Sequence, residues 1–285
     1  MGKNGYGQGE PLSQGTTRGR GVVHVSAGLE KDRFILQQLV TKDFKLRYRR
    51  SILGVVWSVL NPLLMMIVMS FVFSYFLRGS NVENYPLYLI VGNVTFGLMN
   101  EATSTGLRSI IDAAPLLKKV KVDRWVFPVQ KVLSAVVNFA LSLIAVVIVM
   151  LFFQIAPTWH LIWMVPALVL LMVFCVGLSL LIGSLAVFFR DMIHLWSVLL
   201  TAWTYLTPIF WDLSLLTNSN APWIVVAVVK ANPMYNYIDM MRCAIVYQAT
   251  PGSTVLILAV AWALLALVAG ILVFRKTQRK FILYI

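Results

Sequence analysis

An all-α membrane protein is the fold class the sequence predicts, and three observations carry it. The 285 residues are 59% apolar and only 12% charged, with a mean hydropathy of +0.81, and that is about half the charge of a soluble domain. The apolar residues run in blocks of about 20, the length that crosses a bilayer as a helix. The remaining charges are unequal, 24 Lys and Arg against 11 Asp and Glu. The basic ones sit between alternate apolar blocks, as in loops held on the cytoplasmic side.

The elements follow in chain order. Residues 1–28 are polar and glycine-rich without periodicity and read as a disordered tail. Over 29–50, Phe34, Ile35, Leu39, Phe44 and Leu46 alternate with Lys and Arg at roughly helical spacing. That pattern predicts an amphipathic helix on the membrane interface, its apolar side in the acyl boundary and its basic residues near lipid phosphates. A six-span transmembrane domain then fills 51–285. Spans are expected at 52–77, 87–107, 127–153 and 162–189; a fifth begins near Leu195 and breaks at Pro208, and 254–274 forms the sixth. Between the last two, 221–229 is apolar but too short to cross, and Pro222 and Pro233 bound it, so it predicts a re-entrant or interfacial outer helix. With both termini cytoplasmic, 21 of the 24 basic residues fall inside and only Arg78, Lys230 and Arg242 outside. Basic flanks resist translocation, so this split supports an even number of spans.

The same residues exclude several functions. Nucleic acid is a poor partner for this basic chain, because apolar runs separate its charges instead of a stripe collecting them. His24, His160 and His194 are scattered, acidic residues never pair at ligand spacing, and Cys175 and Cys243 lack redox or metal spacing, so neither a catalytic nor a metal site is expected. No GxxxxGK[ST] loop is present. Any ATP must therefore be hydrolysed by another chain. Within the spans Glu101 is the one acid placed to couple an ion; the alternatives are that it faces a polar cavity or pairs with Arg108.

Two patterns remain to be placed. Asp112, Pro115, Leu116, Leu117, Lys118, Lys119 and Lys121 join apolar to basic character between the second and third spans. They form either a knob that docks into a partner's groove or an ordinary positive-inside loop. Trp57, Phe71, Tyr75, Phe96, Trp196, Trp203 and Tyr205 lie at depths beyond the interfacial belts, where they stack on sugar rings, pack, or face lipid. Small residues, Ser179 with Gly183 and Ala259, Ala263, Ala266 with Gly270, permit close helix contact within one chain or between two. Six spans are half a two-sided transport path, which makes a homodimer the economical expectation.

A family resemblance rests on particular segments. Thr41-Lys42-Asp43-Phe44-Lys45-Leu46-Arg47-Tyr48-Arg49-Arg50-Ser51-Ile52-Leu53-Gly54 with Trp57-Ser58-Val59-Leu60-Asn61-Pro62 resembles the start of the membrane permease of type 2 ABC exporters for polysaccharides. Those are the bacterial O-antigen, capsule and teichoic-acid export permeases. Phe188-Phe189-Arg190-Asp191-Met192, Tyr205-Leu206-Thr207-Pro208-Ile209 and Asn232-Pro233-Met234 look like the same family. The resemblance runs from about Phe34 to the C-terminus.

It implies two permease copies with two ATPase subunits in the bacterial cytoplasmic membrane. ATP and Mg would be bound by the partner ATPase, and this chain would bind no cofactor. The segment from Asp112 to Lys121 becomes a cytoplasmic coupling helix. Arg47, Arg49 and Arg50 would meet the headgroup of a polyprenyl-pyrophosphate-linked glycan, since guanidinium groups make charge-assisted bonds to phosphate. The aromatic set would line the glycan channel, and Pro208, Trp211, Pro222 and Pro233 would shape an outer gate. The rival expectations are an exporter of a drug or small lipid on the same fold, and a membrane glycan-modifying transferase.

Overall fold

The computed structural model describes residues 20–49, 54–76, 84–119, 122–219 and 221–284, and every regular element among them is a helix. In order these are α1 (Arg20–Tyr48), α2 (Val56–Phe76), α3 (Tyr85–Asp112), α4 (Ala114–Leu117), α5 (Val126–Phe152) and α6 (Met164–Phe188), the last entered through a 3-10 turn at Trp159–Trp163. Next come α7 (Met192–Leu206), α8 (Ser214–Asn218), α9 (Trp223–Ala231), α10 (Pro233–Ile245), α11 (Ser253–Thr277) and α12 (Phe281–Tyr284). Helix α1 begins ahead of the expected start at Leu29.

Among the described residues four stretches are long and apolar enough to cross a bilayer: Val56–Phe73, Val126–Phe152, Trp159–Phe188 and Ser253–Lys280. The two other expected spans differ for separate reasons. Helix α3 has 28 residues, about 42 Å at 1.5 Å per residue, but Asn93, Asn100, Glu101 and Arg108 dilute its apolar character. Helix α7 has 15 residues, about 22 Å, and stops where Thr207 turns extended at ψ 133°.

Helix α3 is the axis of the bundle, with α2, α5, α6, α7 and α10 packed around it and α11 lying on α6. Small residues set the closest crossings. A Cβ at Gly106 would lie 2.4 Å from the Ser179 Oγ, and one at Gly177 would lie 2.3 Å from the Ala266 backbone. Both small-residue stripes therefore seat helices of the same chain: Ser179 and Gly183 meet α3, while Ala266 and Gly270 meet Gly177 of α6. At one end of the bundle, Ile110, Leu180, Val187, Phe274 and Phe281 form a second apolar cluster that ties α3, α6, α11 and α12 together.

Proline inside α2 has a specific compensation. Pro62 lacks the N–H that would bond the carbonyl of Ser58, and the Ser142 hydroxyl of α5 donates to that carbonyl at 3.2 Å. The helix is thereby held to α5 at its break.

Candidate functional site

The end of α1 lies against α3 and α5 through a charged network. Arg47 Nη2 is 2.6 Å from Glu101 Oε1 of α3, and Asn138 Nδ2 of α5 donates to the same oxygen at 2.5 Å. Tyr48 Oη donates to Asn138 Oδ1 at 3.0 Å and lies 2.5 Å from the Ser58 hydroxyl. One turn earlier, Asp43 accepts from Lys131 at 2.6 Å and from Gln130 at 2.7 Å. Burial disfavours charge on Arg47, but the hydrogen bond and charge of Glu101 outweigh it, so the guanidinium holds its proton more firmly than usual. The partner of Glu101 is thus Arg47 of α1, and the acid also borders two cavities.

These cavities are polar and adjoin. One of about 220 Å³ lies between α1, α3 and α5, lined by Asp43, Arg47, Glu101, Thr105, Lys131 and Asn138 among others. The second, about 360 Å³, lies between α2, α3 and α5 and is lined by Asn61, Asn93, Gly97, Glu101, Asn138 and Ser142 with apolar neighbours. Glu101 and Asn138 border both. Exchanging the Glu101 charge for an amide, Glu101→Gln, removes the Arg47 ion pair while keeping shape. Stability should fall by roughly 1 kcal/mol, since the pair is partly solvated, and limited proteolysis within α1 should quicken.

At the opposite end of α7 the backbone is unwound from 207 to 212 and yet enclosed. Four successive carbonyls each find a side-chain donor. Arg242 Nη1 donates to Pro208 O at 2.8 Å and Nη2 to Ile209 O at 3.0 Å. Tyr85 Oη donates to Phe210 O at 2.5 Å and Tyr88 Oη to Trp211 O at 2.9 Å. Arg242 is 2% exposed and its guanidinium carbon sits 3.3 Å over the Tyr88 ring. A Cβ on Gly92 would come within 2.7 Å of Nη2, so glycine makes room for the arginine. Asn232 closes the same region: it accepts from Trp203 Nε1 at 2.8 Å, donates to Thr207 Oγ1 at 2.9 Å, and caps α10 through Met234 N.

The expected site residues are distributed as follows. Arg49 is exposed beside Arg47, while Arg50, Lys121 and the side chain of Tyr75 lie outside the described residues. Trp57, Phe71 and Tyr205 are exposed, whereas Phe96 and Trp196 are buried inside the chain, Trp196 donating to the Thr103 hydroxyl at 3.2 Å. Trp203 is half-buried against Phe174 and Trp196. In the loop after α3, Asp112, Pro115, Leu116, Lys118 and Lys119 are exposed, and Leu117 packs on the Phe281 cluster. Pro208 is buried; Trp211 is half-buried, and Pro222 and Pro233 precede or open α9 and α10. Charge counting set Arg242 among the three basic residues outside, and the structure buries its side chain in α10.

Long apolar helices wrapped around a charged cavity define an integral membrane protein with a polar interior. Residues 35–246 match the ABC-2 type transporter family, and the chain belongs to that family. It is a transporter membrane subunit and not an enzyme. Among curated proteins it is similar to the O-antigen export system permease protein RfbA of Myxococcus xanthus, with 29% identity over 249 residues, 87% of this chain and 94% of that one. It is also similar to two proteins of that name from Klebsiella pneumoniae, at 27% and 26% identity over 248 residues, 87% of this chain and 93% of each.

Proposed function

We propose that the chain is the permease of an ATP-driven exporter that moves a polyprenyl-pyrophosphate-linked polysaccharide across the bacterial inner membrane. The observation that carries this reading is similarity to O-antigen export permeases over 87% of the chain. Two copies pair with two ATPase subunits, which bind ATP and Mg. In this arrangement α3 and α7 cross together with the four apolar spans, making six, and both termini are cytoplasmic. Helix α3 is buried among its neighbours on all but one face, and α7 is completed by the enclosed 207–212 segment.

The headgroup end is the tip of α1. Arg49 is open to solvent, and Arg47 has guanidinium donors beyond the one committed to Glu101, a geometry suited to a pyrophosphate. Retaining Glu101 as its partner orients Arg47 before the ligand arrives. Exposed Trp57, Phe71 and Tyr205 offer faces for sugar rings at the surface where a second copy would close the channel.

The ATPase docks on the α3–α4 corner. Leu117 is anchored in the apolar cluster while Leu116 projects beside exposed Lys118 and Lys119, so the tip is apolar and its rim basic. Leu116→Asp should abolish copurification with the partner ATPase, while yield and thermal stability stay near wild type. Undiminished copurification would remove this corner from the interface.

A further inference from the structure

The exposed face of α3 is the anomaly of this molecule. Asn93, Gly97, Asn100, Ser104 and Arg108 follow one another at intervals of 4, 3, 4 and 4 residues, so they share one helix face. Gly97, Asn100 and Arg108 are exposed and Asn93 and Ser104 half-exposed, while the positions between are almost all buried. On α5 and α11 the exposed mid-helix positions are those a hydrocarbon phase demands: Ile144, Val147 and Ile148, and Ile257, Leu264 and Leu265. The α3 face spans about 22 Å at 1.5 Å per residue, most of a bilayer core of about 30 Å. Ser104 Oγ donates to Asn100 Oδ1 at 3.1 Å, but the amide N–H groups of Asn93 and Asn100 turned to lipid would be without partners. The face must therefore meet water or a polar ligand.

We infer that this face of α3, with Asn61 and Asn138 across the adjoining cavity, is the track along which hydroxyl groups of the transported glycan are hydrogen-bonded. The inference rests on the export function proposed above and assigns its ligand contacts to amides instead of to aromatic rings alone. Three features favour a sugar polymer as the occupant. Asn amides both donate and accept, matching hydroxyl groups that do the same. The cavity of about 360 Å³ opens directly onto the track through Asn93 and Gly97. At Gly97 a Cβ would meet nothing within 4 Å, so the middle of the track borders open space. Neutral, interchangeable hydrogen bonds suit a ligand that must slide, because each is exchanged for an equivalent one with water or the next sugar.

The test uses the intact transporter in cells. Asn93→Cys, Gly97→Cys and Asn100→Cys are treated with a membrane-impermeant methanethiosulfonate, with Ile148→Cys as the lipid-facing control and buried Cys175 and Cys243 as background. Only a hydrated thiol ionises and reacts. In cells blocked in polymer synthesis the three track positions should label at least about tenfold faster than Ile148→Cys. Active polymer synthesis should slow that labelling several-fold. In parallel, Gly97→Phe should fold and retain its ATPase yet lose most surface polymer.

Labelling no faster than Ile148→Cys would mean that a partner helix covers the face, and would overturn the inference. Fast labelling with no protection by polymer, or full export by Gly97→Phe, would make the track a water path only and overturn it equally. Failure of the permease reading looks different. Surface polymer would then be indifferent to deletion of the wild-type chain, and the track would lose its assigned ligand.

Discussion

Arg242→Met is expected to lower the unfolding midpoint of the detergent-solubilised protein by about 10 °C, which corresponds to on the order of 4 kcal/mol. The side chain supplies donors to two consecutive carbonyls, Pro208 O and Ile209 O, in a segment that has left the helical hydrogen-bond ladder. Methionine fills similar space but donates nothing, so Ile209 O is orphaned and Pro208 O keeps only Tyr88 Oη at 3.4 Å, and a carbonyl orphaned in an apolar surrounding costs about 1–3 kcal/mol. The lost stacking over Tyr88 adds to this. Arg242→Lys should recover only part of the loss, because an ammonium cannot reproduce the planar fork that reaches both oxygens. Gly92→Leu should resemble Arg242→Met, since its Cβ already intrudes on Nη2. Thermal unfolding of the three variants decides the matter: equal midpoints for wild type and Arg242→Met would mean that the unwound segment is held by something else.

Gly177→Leu should be among the most damaging single substitutions in the bundle. Its Cβ would sit 2.3 Å from the Ala266 carbonyl carbon and 2.4 Å from Leu267 N, both backbone atoms that cannot rotate away. At the same crossing a Cβ on Gly270 would lie 2.2 Å from Gly177 O. In lipid no hydrophobic force drives two apolar helices together, so close packing itself holds α11 on α6. Separating them forfeits that packing along the most extensive helix pair of the fold and costs several kcal/mol, about 3 or more. Loss of monodisperse protein after detergent extraction is the expected readout. Gly97→Ala is the matched control, with open space around its Cβ, and it should be neutral or stabilising by about 0.5–1 kcal/mol.

These two cases mark what was legible in the sequence. Helix positions were, because the length of an apolar run is a direct physical requirement: α5 and α11 lie within a few residues of the expected limits. The break at Pro208 and the short helix after Pro222 were also legible, since proline chemistry is local. Small-residue stripes announced close contact but not its partner, which depends on how helices fold back, and the structure seats both stripes within the chain. The role of Arg242 was hidden for an instructive reason. Charge counting assigns a basic residue to a side of the membrane and does not tell whether it serves as a hydrogen-bond cap for unwound backbone. Its context, Met240-Met241-Arg242-Cys243-Ala244-Ile245, is uniformly apolar, and that is the signal of burial.

The polar interior was less legible still. Glu101 stood out as a lone acid, with a polar cavity or Arg108 as its expected surroundings. The structure supplies the cavity and adds Arg47, which lies 54 positions earlier and whose approach no local pattern reveals. Asn93, Asn100 and Ser104 carry no signal of their own in the sequence, because each is an ordinary polar residue. Their meaning comes from sharing a face on a helix that is otherwise buried, and burial is a property of the packed bundle.

Transfer of polymer across a sealed membrane tests the central claim most directly. The chain and its ATPase are reconstituted in liposomes with a polyprenyl-pyrophosphate-linked glycan presented on the ATPase side, and polymer inaccessible to an external glycosidase is measured. The account predicts that protected polymer accumulates only when ATP, the ATPase and this chain are all present, and that a Leu116→Asp permease fails to support it. Polymer that remains fully digestible while the same vesicles pump a drug or a small lipid would contradict it.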